Sequence, residues 1–463
     1  MKVLHIITGL GVGGAEQQLR LLAPRLPARC EVVTLTNPGP VARGLREDGV
    51  PVTHLGMAGN RDIGSLPRLV THIREGHYDL VHTHLYRACL YGRVAARLAG
   101  VRAVVATEHS LGDTVIEGRP LTPAVRGLYL ASERLGSATV AVSPTVAERL
   151  RAWGVPEHRV HVVANGIDVD RFRFDPAARA AARAALGLPE DAYVVGGVGR
   201  LVAGKRFDAL IRAMAALPDD HRLLLVGGGP EEEPLRRLAA ELGLTDRVVL
   251  AGERDQSSTD SGERDQSSTT PGERGGAAAT PGERGGAATA PGERDGAAAT
   301  SGERGGAAAT SGRHTRTATA PREQGLPALL AAMDVLVSPS RSEAFGLAVI
   351  EGLAAGLPVL YVDCPAVEDL PQEAAPGAHR VGGSVTGLTD ALRWGRRTGY
   401  GTDGGHQRPG PGVTRLPVPD AVRHYSITRS AAQLADVYGT ALAGAGGSRP
   451  LHRSQGLLGA RSS

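Results

Sequence analysis

Aromatic residues are scarce. They make up 3% of the 463 residues, against 41% hydrophobic residues in all. Any large core must therefore be built from Ala, Leu and Val. Cysteine is scarcer still: Cys30, Cys89 and Cys364 stand far apart, without metal-ligand spacing. That excludes a disulfide scaffold and fits a reducing cytosol. Long apolar runs are missing. None approaches the roughly 20 residues of a bilayer-spanning helix. The opening MKVLHIITG lacks the long apolar core of a signal peptide. The expected location is cytoplasmic. The net charge is only +4 and the basic residues do not cluster, so a nucleic-acid partner is not expected.

Two further shortages inform by their exceptions. Of 52 Lys and Arg residues, only Lys2 and Lys205 are lysines. Asparagine occurs only at Asn37, Asn60 and Asn165. A lysine or asparagine that stands against this habit carries more meaning than usual.

What is present alternates. KVLHIIT, EVVTLT, LVHTH, AVVATEH and ATVAVS read as strands, with AEQQLRLLAPRL and CLYGRVAARLAG as helices between them. Near-continuous Val/Ile runs alternating with helices imply a parallel sheet covered on both faces. VHVVANGIDVDRF closes this region. The pattern restarts near Ala192, with strands AYVVGGVGRL, RLLLVGGG, RVVLAG, DVLVSPS and LPVLYVD. The expected fold class is α/β, two doubly wound Rossmann-like parallel-sheet domains facing a cleft. The expected boundaries are 1–175 and 176–427, then a helix at 428–443 and a disordered tail at 444–463. Six decamers beginning GER run from Gly252 to Ser311 without one Leu, Ile, Val or aromatic residue. They cannot offset an ordering entropy of about 1–2 kcal/mol per residue. Residues 252–322 are therefore expected to form a disordered insertion in the second domain.

Ligands of doubly wound sheets bind at the carboxyl ends of the strands. TGLGVGGAEQQL follows the first strand, and Gly13 and Gly14 open a helix whose amides suit an anion. The competing reading is an ordinary glycine turn. GVGRLVAGKRFD follows the first strand of the second domain. Its Arg200 and Lys205 before a helix suit a departing diphosphate, and a compact ammonium suits phosphate. The bland alternative is a solvated surface pair. In SEAFGLAVIEG the amides of Phe345, Gly346 and Leu347 open another helix. Glu343 and Glu351 are carboxylate acceptors able to hold sugar hydroxyls, with simple helix-dipole placement as the alternative. His82 and His84 in VHTH share one strand face, but the sequence offers no evident third ligand for a metal.

The motifs together resemble a retaining GT-B glycosyltransferase of glycosyltransferase family 4. The E-x7-E pair Glu343 and Glu351, with Phe345-Gly346 inside it, is similar to the family's signature. So are GGAE, GRLVAGK, NGID and VGGGPEEEPL. The likeness spans nearly the whole chain outside the repeat. The chain departs from it in the 396–418 stretch and in DCPAVEDL, where many members carry a glycine-rich turn.

The resemblance implies a hexosyltransferase-type enzyme that needs no cofactor and no metal. A nucleotide-diphospho-sugar, UDP- or GDP-linked, would bind mainly to the second domain near Gly228. Arg200 and Lys205 would stabilise its diphosphate, Glu343 its sugar and Glu351 its ribose. His109 in TEHS would hydrogen-bond the transferred sugar. The acceptor hydroxyl would belong to a polysaccharide, glycolipid or other glycoconjugate precursor, including lipid-linked ones. Residues 1–175 hold 21 Lys and Arg against 16 Asp and Glu, which permits peripheral contact with the inner membrane face. The alternatives are another nucleotide-sugar enzyme such as an epimerase, and a non-enzymatic scaffold built on the decamers.

Overall fold

The computed structural model describes residues 1–59, 62–111, 115–116, 119–254, 325–398 and 415–446. The decamers from Asp255 onward, the stretch 399–414 and the tail after Gly446 lie outside the described residues.

Strands β1 (Lys2–Gly9), β2 (Arg29–Asn37), β3 (Val52–His54), β4 (Leu80–His84), β5 (Ala103–Glu108), β8 (Ala138–Ala141) and β9 (Val160–Val162) form one parallel sheet in the order β3-β2-β1-β4-β5-β8-β9. A short antiparallel pair, β6 (Val115–Ile116) and β7 (Arg119–Pro120), follows β5. The second parallel sheet holds β10 (Tyr193–Val198), β11 (His221–Val226), β12 (Val248–Leu250), β13 (Val335–Ser338), β14 (Val359–Tyr361) and β15 (Ala378–Arg380), in the order β12-β11-β10-β13-β14-β15. The central strands are buried on both faces, which is why they read as unbroken apolar runs. The edge strands β3 and β15 escape sequence reading. Each is three residues long with no fully buried residue, so there is no alternation to find.

Helix ends carry the expected local chemistry. Ser143 caps the helix Pro144–Trp153, its Oγ accepting from the Val146 amide at 3.1 Å, and Gly154 ends it at φ 108°. The helix Pro176–Leu186 is nearly all Ala and Arg, and it buries Ala182 and Leu186 in the core. Tertiary ion pairs add to its hold: Arg179 and Arg183 both bind Asp334 beside β13, at 2.7 and 2.8 Å.

The last helix, Ile427–Gly444, does not stay with the second sheet. Its Leu434, Val437 and Tyr438 join Leu19, Val105 and Val140 in the core of the first. The chain therefore crosses between the sheets twice. The two crossings are laced together: Ile167 donates to Tyr425 O at 2.8 Å, and Ile427 donates to Ile167 O at 2.9 Å. Gly166 in NGID sits inside this lacing. A Cβ there would lie 2.5 Å from Ile427 Cα, so only glycine fits. Gln18 clamps the same glycine from the first domain. Its Nε2 donates to Gly166 O at 2.7 Å, and Gly166 N donates to its Oε1 at 2.9 Å.

Candidate active site

Both sheets reverse strand order once, at β1/β4 and at β10/β13. Crevices at such switch points are where open α/β sheets bind ligands. The loops leaving these four strands carry nearly every residue singled out from sequence. Gly13 and Gly14 follow β1. His84 ends β4, and His109 follows the adjacent β5. Arg200 and Lys205 follow β10, and Glu343 follows β13.

In the second domain Lys205 ends a short 3-10 turn, and its ammonium donates to Glu343 Oε1 at 2.5 Å. The sequence assigns the two to different parts of a donor, yet here they face each other. Glu343 is only 12% exposed. Its own amide donates to Asp363 Oδ2 at 2.5 Å. Asp363 belongs to DCPAVEDL, the segment that departs from the family pattern. That segment also braces the loop further on, where Ala366 N donates to Phe345 O at 2.9 Å.

Gly346 starts the helix Leu347–Ala354 at φ 102°, and a Cβ there would lie 2.4 Å from Cys364 Sγ. Glu351 sits in the second turn, buried. Gly356, at φ 69°, follows the helix end. Gly14 opens the helix Gly14–Leu22, and a Cβ on it would lie 3.2 Å from Leu347 Cδ1. Two helix N-termini, one from each domain, thus converge on the cleft, a natural place for an anion.

Two carboxylates there were not picked out from sequence. Glu16, inside the quoted GGAE, curls back over Gly13, where its carboxylate fills the space a Cβ would need. Burial pushes Glu16 up to about 7, against the pull of its own amide and of the exposed Arg200, and with a push from Glu253. Glu253 packs likewise on Gly228. The strained turns of VGGGP lie on either side of Gly228. Gly227, at φ 142°, approaches Gly199 O, and Gly229, at φ 153°, approaches Leu201 O.

His109 Nε2 lies 3.1 Å from His84 Nδ1. Burial lowers its pKa to about 4, so it is a neutral imidazole. The expectation that His82 and His84 lack a third imidazole is corrected. His5 on β1 stands opposite His82 in register, and ring nitrogens of all three lie within 4.8 Å of one another. No sequence signal links His5 to them, since strand pairing alone brings it there. His82 has both nitrogens engaged by hydroxyls, Nδ1 with Tyr438 at 2.6 Å and Nε2 with Thr107 at 2.7 Å. His82 is therefore fully hydrogen-bonded within the protein.

A larger surface cavity of about 380 Å3 is lined by Tyr78, Asp79 and Arg102 at the amino ends of β4 and β5. It contains none of the residues above.

This pair of sheets, with both switch points turned to one cleft, is the GT-B architecture. Two solved structures share it. HepE of Anabaena in complex with UDP and glucose has a TM-score of 0.67 at 19% identity, covering 95% of this chain and 99% of that one. Sucrose-phosphate synthase from Thermosynechococcus elongatus has a TM-score of 0.64 at 20% identity, covering 96% and 100%. Family models match in order along the chain: Glycosyltransferase Family 4 over residues 12–171, then Glycosyl transferases group 1 over 178–261 and again over 303–394. The chain belongs to the GT-B glycosyltransferases of family 4. Among curated relatives, D-inositol 3-phosphate glycosyltransferase 1 of Catenulispora acidiphila is 32% identical over 255 residues, 50% of this chain and 57% of that protein. The D-inositol 3-phosphate glycosyltransferase of Streptomyces avermitilis is 36% identical over 197 residues, 38% and 41%. The chain spans about half the length of the curated relatives it matches.

Proposed function

We propose that the protein transfers a hexose from a nucleotide-diphospho-sugar to an acceptor hydroxyl, with retention of the anomeric configuration, in the synthesis of a polysaccharide, glycolipid or other glycoconjugate. One observation carries the reading: Lys205 meets Glu343 at the β10/β13 switch point, with Arg200 in the loop leaving β10, beside the N-terminus of the helix that holds Glu351. The diphosphate would lie at that N-terminus and take Lys205 and Arg200 as its cations, since charge leaving with the nucleotide needs fixed positive groups. The amides of Phe345, Gly346 and Leu347 would complete the cradle. Lys205 would then exchange Glu343 for phosphate, freeing the carboxylate to accept from donor-sugar hydroxyls. Glu351 would accept from the ribose diol. His109 would hydrogen-bond the transferred sugar from the first domain.

The complexes of HepE with UDP and UDP-glucose support a UDP-sugar as the donor to try first. Among the described residues no helix is long and apolar enough to cross a membrane, so a lipid-linked acceptor would be met by peripheral contact.

The test is a screen of the purified full chain against UDP-, GDP-, ADP- and dTDP-sugars, following slow donor hydrolysis. One donor class hydrolysed above background is expected. Proton NMR of the released sugar at early times then reads the anomer, and retention predicts that of the donor. No hydrolysis and no binding of any nucleoside diphosphate would overturn the reading.

A further inference from the structure

The imidazoles behind His109 have no part in the reaction proposed above. We infer that His5, His84 and His109 form one coupled line that fixes the ring proton of His109 on Nδ1, so that His84 and His5 are positioning residues for the active-site imidazole. The inference rests on the reading of His109 as the ring that meets the transferred sugar.

The geometry comes from strand alternation. Residues 3, 5 and 7 of β1, 80, 82 and 84 of β4, and 103, 105 and 107 of β5 fall on single faces. That face is the one covered by the helices Gly14–Leu22 and Ile427–Gly444. Register places Ile7 beside His84 and His84 beside Thr107. The side chains then touch in sequence. His5 Nδ1 lies 3.1 Å from His84 Nε2, and His84 Nδ1 lies 3.1 Å from His109 Nε2. Both end nitrogens, His5 Nε2 and His109 Nδ1, are buried without a partner among the described residues.

All three rings are neutral, because burial opposes their protonation. A neutral imidazole has one N–H and one lone pair. Two N–H···N contacts among three such rings allow only two arrangements. In the first, each ring is protonated on Nδ1. His5 donates to His84, His84 donates to His109, and His109 keeps a free Nδ1–H. In the second, each ring is protonated on Nε2, and the free N–H is that of His5.

The second arrangement strands a donor at His5, a residue with no exposed surface. Orphaned buried N–H groups are the rarest unmet polar groups, because desolvating a donor without a partner is costly. The first leaves only a lone pair at His5. It places the donor on His109, whose Nδ1 is buried as well but belongs to a partly exposed residue that lines a cavity of about 10 Å3 with His84, Thr107 and Asn165. That volume holds about one water, or one ligand oxygen.

The line is also closed at its inner end. A shift to the second arrangement would need a proton delivered to His5 Nε2, and no donor stands there among the described residues. It therefore locks a tautomer and does not conduct protons. His82 stays outside it, tied to Tyr438 and Thr107, and its ring packs on His84 with centroids 4.1 Å apart. His109 is thereby a hydrogen-bond donor at Nδ1, toward a sugar oxygen, and not a base.

The experiment uses the full chain labelled with 15N-histidine at pH 7.5. Nitrogen shifts and long-range 1H–15N couplings report which ring nitrogen carries the proton. Wild type is expected to show Nδ1–H on His5, His84 and His109. His84→Leu is expected to leave His109 in a mixture, and His84→Gln, whose amide can donate to Nε2, to restore Nδ1–H. An Nε2–H on wild-type His109, or an unchanged His109 in His84→Leu, would overturn the inference. Uptake of one zinc per chain with loss of the ring N–H signals would do so too. If His84→Leu fails to fold, the wild-type tautomers decide alone. In donor hydrolysis, His84→Leu should lower kcat about tenfold or more with KM little changed, and His84→Gln should recover it. A tautomer change without a kcat change keeps the coupling and removes His109 from the transfer step.

Discussion

Lys205 Nζ donates to Glu343 Oε1 at 2.5 Å, bridging two loops that are 138 residues apart in sequence and leave the neighbouring strands β10 and β13. The pair neutralises, within the protein, two groups that donor binding would separate. It also holds the two loops in place.

Lys205→Ala is expected to lower turnover about 10²–10³-fold, the usual cost of removing one charge-stabilising donor. Lys205 is 29% exposed and Glu343 12%, so the pair is only partly solvent-screened and its loss costs modest stability. The melting temperature should shift by only a few degrees. Turnover at the wild-type rate would rule Lys205 out as a diphosphate cation.

Glu351→Gln is expected to weaken binding of the nucleoside diphosphate about tenfold or more. The amide keeps the shape but exchanges one acceptor oxygen for a donor, and hydrogen bonds to charged groups contribute about 1.5–3 kcal/mol. Titration calorimetry with the diphosphate alone isolates this site from the sugar. Unchanged affinity would return Glu351 to a purely structural place in its helix.

Gly346→Ala is expected to destabilise the protein by about 1–3 kcal/mol, the cost of a side chain held at a disfavoured backbone angle. The new Cβ would also press on Cys364 Sγ, which is buried and cannot swing away. Urea unfolding measures the loss, and nucleotide affinity should fall with it, because the same turn presents the amides of the helix start. A variant as stable as wild type would contradict the φ of 102°.

Acid should destabilise the fold through the imidazole cluster. His5 has its pKa lowered by burial from 6.5 to about 3, and His82 and His84 move the same way. Below pH 6.5 the unfolded chain takes up protons that the folded chain refuses, so stability is lost as pH falls through that window. For His5 alone the loss at pH 5 is about 2 kcal/mol. Glu16 acts in the opposite sense between about pH 4.5 and 7, because its pKa is raised on folding. Urea unfolding of Glu16→Gln at pH 7.5 and pH 5 removes that opposition. A fall of at least 2 kcal/mol is expected, and equal stabilities would mean the rings are not buried neutral.

Deleting residues 255–320 is expected to leave melting temperature and donor hydrolysis unchanged. The deletion joins GER directly to PREQG, within the usual length of a strand-to-helix connection. Closure entropy grows only logarithmically with loop length, so shortening should stabilise slightly if at all. A lower melting temperature, or a tenfold fall in hydrolysis, would make the decamers part of the catalytic unit.

The sequence alone determined the two sheets and most of the cleft. Apolar strand runs, the glycines at loop starts, the solitary internal lysine and the Glu343–Glu351 spacing are all local features, and local features survive in a string of letters. Period two told that His82 and His84 share a face. It could not tell what stands opposite. His5 has no motif around it, and it meets them because β1 pairs with β4 in one particular register. Likewise GGAE announced a helix start, but not that Glu16 would fold back over Gly13 and feel Arg200 and Glu253 from the other domain. The return of the last helix to the first sheet, and the contact of Lys205 with Glu343, were also decided only in three dimensions. Periodicity fixes the direction of a side chain, whereas its neighbours, its burial and hence its protonation depend on chain segments brought together from far along the sequence.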